Sequence, residues 1–409
     1  MKKFALLLAC LAVTALVAGC SSPGTSAEPP ADFKVVAGDG SVVLTWTAEE
    51  GVDYWIFYGL GTGITTENWA NTGGRVATKA RSPYVLTGLT NGLTYSFTIN
   101  GRRDGGPGGP DAPTQVAQPR LSGATWTPGT PLGTGTLNAV ASGILAPGVL
   151  KTIVGTGGAI YNAVGLTSTD YTPAANPVPA ADLNTLLYAT SGLLAAGAGG
   201  VALTSNDGTT WTAQSTGYTN DFHGGASAGF GYLLVGSGGI ILASQTGVSW
   251  VAQASATTNT LYAAGYGNNL YVAVGAAGTI VTSPDAATWT IAAPVTSRNL
   301  RGVTYGSWTN AAAETVSLWV AVGDEGTFLT STNGTTWTAQ APFTTANLAA
   351  VTYSGQFLTV GSRGTIYTSA DASAWVSRSS LTTADLKAVA RTPTGYIVVG
   401  SNGTNLSSN

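Results

Sequence analysis

The sequence predicts an all-β protein: a small β-sandwich followed by a seven-bladed β-propeller that is closed by a strand from the N-terminal side of the repeat. Three observations predict it. Of 409 residues 44% are hydrophobic and only 9% charged, with 11 Trp and 16 Tyr, too apolar for a disordered chain and rich in the residues of packed β-structure. Gly155, Gly197, Gly236, Gly275, Gly323, Gly361 and Gly400 each follow an apolar run, at intervals of 42, 39, 39, 48, 38 and 39 residues. That is the period of a four-stranded blade, and seven copies predict seven blades. The seventh copy breaks off after its third strand, at Leu406-Ser407-Ser408-Asn409, whereas LSGATWTPG at residues 121–129 has a Trp-led strand with no copy before it. Trp126 and its strand are therefore expected to complete the last blade and leave the ring without free edges.

Residues 1–19 read as a signal peptide, with Lys2 and Lys3, an apolar run and small residues before a cysteine. Val17-Ala18-Gly19-Cys20 resembles the lipobox of bacterial lipoproteins. The resemblance implies cleavage before Cys20 and a lipid on its thiol, with each buried CH₂ contributing about 0.8 kcal/mol to membrane attachment. Residues 20–29 would form a mobile lipidated tether of Pro, Ser and Gly. Ser21 after the cysteine points to the outer membrane if the cell is Gram-negative; periplasmic and surface-exposed, extracellular orientations both stay open. Cys10 lies in the signal, so Cys20 is the one cysteine of the mature chain and neither a disulfide nor a Cys-based metal site is expected. Without Lys2 and Lys3 the formal net charge moves from −3 to −5, which offers nucleic acid no basic stripe.

Residues 30–120 carry short alternating strands between turn signals, the pattern of a sandwich. GDGSVVLTWTA leads into Trp46, YWIFYG from Tyr54 reads as a central strand, and Leu89 precedes Tyr95 by six residues. The last stretch resembles a fibronectin type III domain, which implies that the Tyr95 ring packs in the core while its hydroxyl meets backbone near the leucine turn. A spacer role is expected for it.

Residues 121–409 repeat one unit: a Leu-led strand, an apolar strand, a Gly-x-x-Gly turn, a third strand, a polar turn and a Trp-led outer strand. Serine and tryptophan lie six apart in five copies, Ser205/Trp211, Ser244/Trp250, Ser283/Trp289, Ser331/Trp337 and Ser369/Trp375. Asp207, Asp285 and Asp371 follow their serines by two residues, with Thr246 and Asn333 in the other copies. These turns resemble the Asp-box of bacterial neuraminidase-type propellers, one residue shorter between Asp and Trp. The resemblance implies a folding device, in which the carboxylate caps hairpin amides and the tryptophan seals adjoining blades.

The innermost strands begin, directly after Leu or Phe, with Asn138, Asn184, His223, Tyr262, Arg301, Ala349 and Lys387. Such variety at one position is what a funnel rim would show. Nine of the 17 charged residues between Leu121 and Asn409 belong to that face, among them Asp182, Asp221 and Asp385. Arg301, Arg363 and Lys387 beside Asp324 and Glu325, with His223 and Tyr262, form the candidate binding face. Its cations suit an anionic partner, an acidic glycan or a carboxylate-rich protein surface. His223 is the single histidine, so no metal and no cofactor are expected.

The repeat also resembles seven-bladed propellers of the photosystem II assembly-factor type, which implies a non-enzymatic binder with a basic patch on one face. Sialidase-type propellers need an arginine triad, a Tyr/Glu pair and an acid Asp. Arg301, Arg363 and Tyr262 are present, but no copy has the matched set. Asp324 and Glu325 are neighbours in one turn rather than facing carboxylates. The expected function is a non-enzymatic envelope lipoprotein for binding, scaffolding or adhesion, with a protein or glycan partner; a glycan-active hydrolase is the alternative. Oligomeric state is left open. Mass spectrometry of the mature N-terminus is expected to find acylated Cys20; a free thiol there, or cleavage elsewhere, would contradict the lipobox.

Overall fold

A computed structural model describes residues 24–145, 148–165, 169–189, 191–228, 231–310, 312 and 314–408. Cys20 and the signal lie outside the described residues. The chain divides into two compact units, 1–119 and 120–409.

The first unit has two antiparallel sheets. One is ordered Thr25–Ala27, Tyr95–Arg103, Val52–Leu60, Arg75–Ala80, with Gln115–Ala117 also on Tyr95–Arg103; the other is Lys34–Gly38, Ser41–Thr45, Tyr84–Thr87. Trp46, Tyr54, Ile56, Phe97 and Ile99 fill the core between them. The Tyr95 hydroxyl accepts a hydrogen bond from the Thr90 amide at 3.1 Å, with Leu89 packed on the same core. The structure corrects the mobile tether. Thr25–Ala27 pairs with Gly101–Arg103, because glycines let the backbones close: a Cβ at Gly109 would lie 1.9 Å from the Ala27 carbonyl oxygen.

The second unit holds seven four-stranded antiparallel sheets among the described residues. Their innermost strands are Leu137–Leu145, Leu183–Ala189, Phe222–Ala228, Leu261–Gly267, Leu300–Thr309, Leu348–Tyr353 and Leu386–Arg391. Each packs on the next, and the last packs on the first, so the sheets form a closed ring. The long interval of 48 residues is an extended hairpin in the fifth sheet, Leu300–Thr309 with Thr315–Gly323.

The seventh sheet is completed by Thr127–Pro128, which pairs with Asn405–Ser408. The turn beside it is built from two distant segments. Ser408 Oγ accepts from the Gly123 amide at 2.6 Å, and Trp126 Nε1 donates to the Gly123 carbonyl at 3.1 Å. In the second sheet the same bonds form within one segment, Ser205 Oγ to the Gly208 amide at 2.8 Å and Trp211 Nε1 to the Gly208 carbonyl at 2.7 Å. Trp250, Trp289 and Trp337 make the equivalent indole bond. Trp375 does not; its ring stacks on Phe343 at 4.6 Å.

In these turns Asp207 accepts from the amides of Thr209 and Thr210, both at 2.7 Å, and Asp285 from those of Ala287 and Thr288 at 2.9 and 2.8 Å. Asn333 does the same, and Asp371 accepts from the Ser373 amide and hydroxyl. Backbone amides, led by Thr210 and Thr288 respectively, hold Asp207 and Asp285 down at about 2. These carboxylates therefore stay ionised and occupied in their own turns. Trp126→Ala is expected to lower the unfolding free energy of the second unit by about 3–5 kcal/mol, as for other buried tryptophans. Urea titration checks this; an unchanged midpoint would mean that the closing strand contributes nothing.

Candidate functional site

The innermost strands share a local defect that aims their first side chains. In every sheet the entry Leu or Phe is fully buried and pairs with the glycine that opens the turn: Leu137 with Gly155, Phe222 with Gly236, Leu300 with Gly323. The next paired residue is two further on, so one residue is extruded as a β-bulge. The extruded residues are Asn138, Asn184, His223, Tyr262, Arg301, Ala349 and Lys387. A bulge re-aims its side chain, and all seven line one cavity of about 390 Å³.

Inside it the side chains link from sheet to sheet. Asn138 Nδ2 donates to the Leu183 carbonyl and Asn184 Nδ2 to the Phe222 carbonyl, each at 3.0 Å. The His223 ring packs on Tyr262 at 5.6 Å between centroids, and the Arg301 guanidinium lies over the same tyrosine at 4.5 Å. Arg301 donates from Nε and Nη2 to the two oxygens of Asp324, at 3.0 and 3.2 Å, and Asn299 Nδ2 donates to Asp324 at 2.9 Å. Lys387 Nζ lies 3.5 Å from Asp385. Ala349 contributes only a methyl group.

Burial alone would raise the Asp324 carboxyl, but the bonds from Arg301 and Asn299 outweigh it and bring it below the ordinary value. Hydrogen bonding to Asp324 raises Arg301. Burial lowers His223, helped by Arg301 and opposed by Asp221, so the imidazole is neutral at neutral pH. The cavity's two cations are thus matched by two carboxylates, which corrects the expectation of a cationic site.

Two further corrections concern the rim. Arg363 and Glu325 are outside the cavity lining, at exposed positions of the Gly-x-x-Gly turns with φ of 56° and 55°. Glu325 pairs with Arg298, while Arg363 makes no ion pair among the described residues. Asp182, Asp221 and Asp385 act as stitches between sheets. Each accepts, at 2.7, 2.8 and 3.0 Å, from the amide of the preceding sheet's turn, at Gly157, Gly199 and Arg363. Asn299 and Asn347 do the same for Ala277 and Glu325.

Sequence reasoning missed Asn347 and Ser362 in the lining. Asn347 was findable, since it stands two residues before the extruded position, like Asp182 and Asp385. Among the described residues no group of three or more His, Cys, Asp or Glu is placed to hold a metal ion.

No family model and no curated protein matches the chain. Many solved structures are similar to it, among them three propellers. YCF48 bound to D1 peptide has a TM-score of 0.56 at 15% identity, covering 69% of this chain and 94% of that one. YCF48 from Cyanidioschyzon merolae has 0.54 at 18%, covering 69% and 98%. The WD40 β-propeller domain of Doa1 has 0.54 at 12%, covering 71% and 97%. The fold is a β-propeller. At these identities the likeness speaks for the fold alone.

His223 gives the propeller a pH signature. Its folded-state pKa lies below 6.5, so the unfolded state takes up the proton first. Its contribution is complete above 6.5 and is lost as pH falls through that value towards the folded pKa. The stability of wild type relative to His223→Gln is expected to shrink between about pH 7.5 and 5, read by urea titration. A constant difference would mean that folding leaves His223 unshifted, and one that grows as pH falls would mean that Asp221 outweighs burial.

Proposed function

We propose that the second unit is a seven-bladed propeller that holds a polar polypeptide segment of a partner protein in its central cavity, without catalysing a reaction. One observation carries this reading: every sheet of the ring extrudes its first inner residue into the same cavity. The bulge re-aims each of these side chains, and their varied head groups converge on one space where a ligand can meet them.

The first unit is read as a fibronectin type III spacer, on Trp46, Leu89 and the Tyr95 hydroxyl bond. The serine-to-tryptophan turns are read as Asp-boxes with a folding role. Lipidation at Cys20 would place the molecule on the bacterial envelope, at the outer membrane of a Gram-negative cell, as a scaffold or adhesion lipoprotein. YCF48 is a propeller seen with a peptide, which makes a peptide partner a natural first trial. Hydrolysis finds less support, because a general acid needs a raised carboxyl and Asp324 is held low by Arg301.

Peptide display against the intact protein tests the reading. Enriched peptides are expected to lose at least about tenfold in affinity for Tyr262→Ala and for Arg301→Ala, equivalent to ~1.4 kcal/mol, with melting temperature retained. Absence of enrichment, or peptides indifferent to both substitutions, would overturn it.

A further inference from the structure

Six of the seven extruded residues carry polar or aromatic head groups; the sixth sheet offers Ala349. Its methyl group leaves room in the lining, which also includes Asn347 and Ser362 and the Arg301–Asp324 and Lys387–Asp385 pairs. Asn347 spends Oδ1 on the Glu325 amide at 2.8 Å, and Ser362 Oγ accepts from the Asn347 amide at 3.1 Å. Asn347 Nδ2 and the Ser362 hydroxyl proton have no acceptor among the described residues. The same lining thus holds two donors and two paired carboxylates.

We infer that the space over Ala349 is the specificity pocket of the site and takes an uncharged side chain that both donates and accepts, a carboxamide or hydroxyl, from the bound segment. This rests on the peptide-binding reading above. A carboxamide oxygen would accept from Asn347 and Ser362 while its N–H groups turn to the carboxylates. A carboxylate in the same place has nothing to donate and meets Asp324 and Asp385, whose cations are already engaged. An ammonium has nothing to accept with and faces Arg301 and Lys387. Desolvating an unmatched charge costs far more than desolvating a matched dipole. Discrimination therefore comes from penalising charged groups as much as from rewarding the neutral one.

Small probes test this without a known partner. N-acetyl-asparagine methylamide, its aspartate and lysine counterparts, and N-acetylglucosamine are titrated into the full chain, read by the amide resonances of Ala349, Ser362 and Lys387. The asparagine probe is expected to shift these resonances saturably, with the aspartate and lysine probes at least about tenfold weaker. Asp324→Asn is expected to bring the aspartate probe level with the asparagine one, by freeing Arg301. Ser362→Ala should weaken the asparagine probe and Ala349→Leu abolish its shifts. The inference is overturned if a charged probe or the sugar binds as tightly in wild type, or if no probe moves these resonances. If displayed peptides still depend on Tyr262 and Arg301 in that case, the pocket assignment alone fails and the peptide-binding reading stands.

Discussion

One backbone contact sets the geometry of the whole ring: the glycine that opens each turn lies against the carbonyl that precedes the buried Leu or Phe. A Cβ at Gly323 would come within 2.0 Å of the Asn299 oxygen, and at Gly361 within 2.1 Å of the Asn347 oxygen. The amide after the glycine bonds to that same oxygen, Asp324 to Asn299 and Ser362 to Asn347. With the strand entry pinned there, the leucine enters the core and the following residue is left over. The bulge, the cavity and the identity of its lining all descend from that contact. Any side chain at the glycine would push the innermost strand out of register.

Charge is handled in two ways within the same few residues. In the Ser-to-Trp turns, carboxylates are consumed by backbone amides and serve the fold. In the cavity, two carboxylates are matched to two cations, so the wall is polar without a strong net field. Asp385 does both, capping the Arg363 amide with one oxygen and facing Lys387 with the other. A site of this kind selects by the pattern of donors and acceptors rather than by long-range attraction, and its occupancy should depend little on salt.

The sheets were legible in the sequence because the glycine contact admits no other residue, so its spacing survives in every copy. The split closing strand was legible for a related reason: a Trp-led strand with no copy before it must find a sheet to complete. The position of the seven lining residues could be read because each follows a buried Leu or Phe. Their extrusion could not be, since a bulge leaves no mark on an alternating pattern that is interrupted at its first residue. The pairing of Arg301 with Asp324 spans one hairpin and was hidden by counting charges of the face together. The stitching role of Asp182 and Asp221 could not be read, because a side chain that bonds to the neighbouring sheet's amide looks, in sequence, like an exposed charge. The pairing of Thr25–Ala27 was hidden by a Pro/Ser/Gly context that usually marks a tether.

Hydrogen exchange at the extruded residues reads occupancy of the cavity, because these residues have no partner in the sheet ladder. With a displayed peptide bound, slowed exchange is expected only in the segments around Asn138, His223, Arg301, Ala349 and Lys387. Protection at the Ser-to-Trp turns or the outer strands, with those segments unchanged, would place the partner elsewhere and contradict the peptide-binding reading.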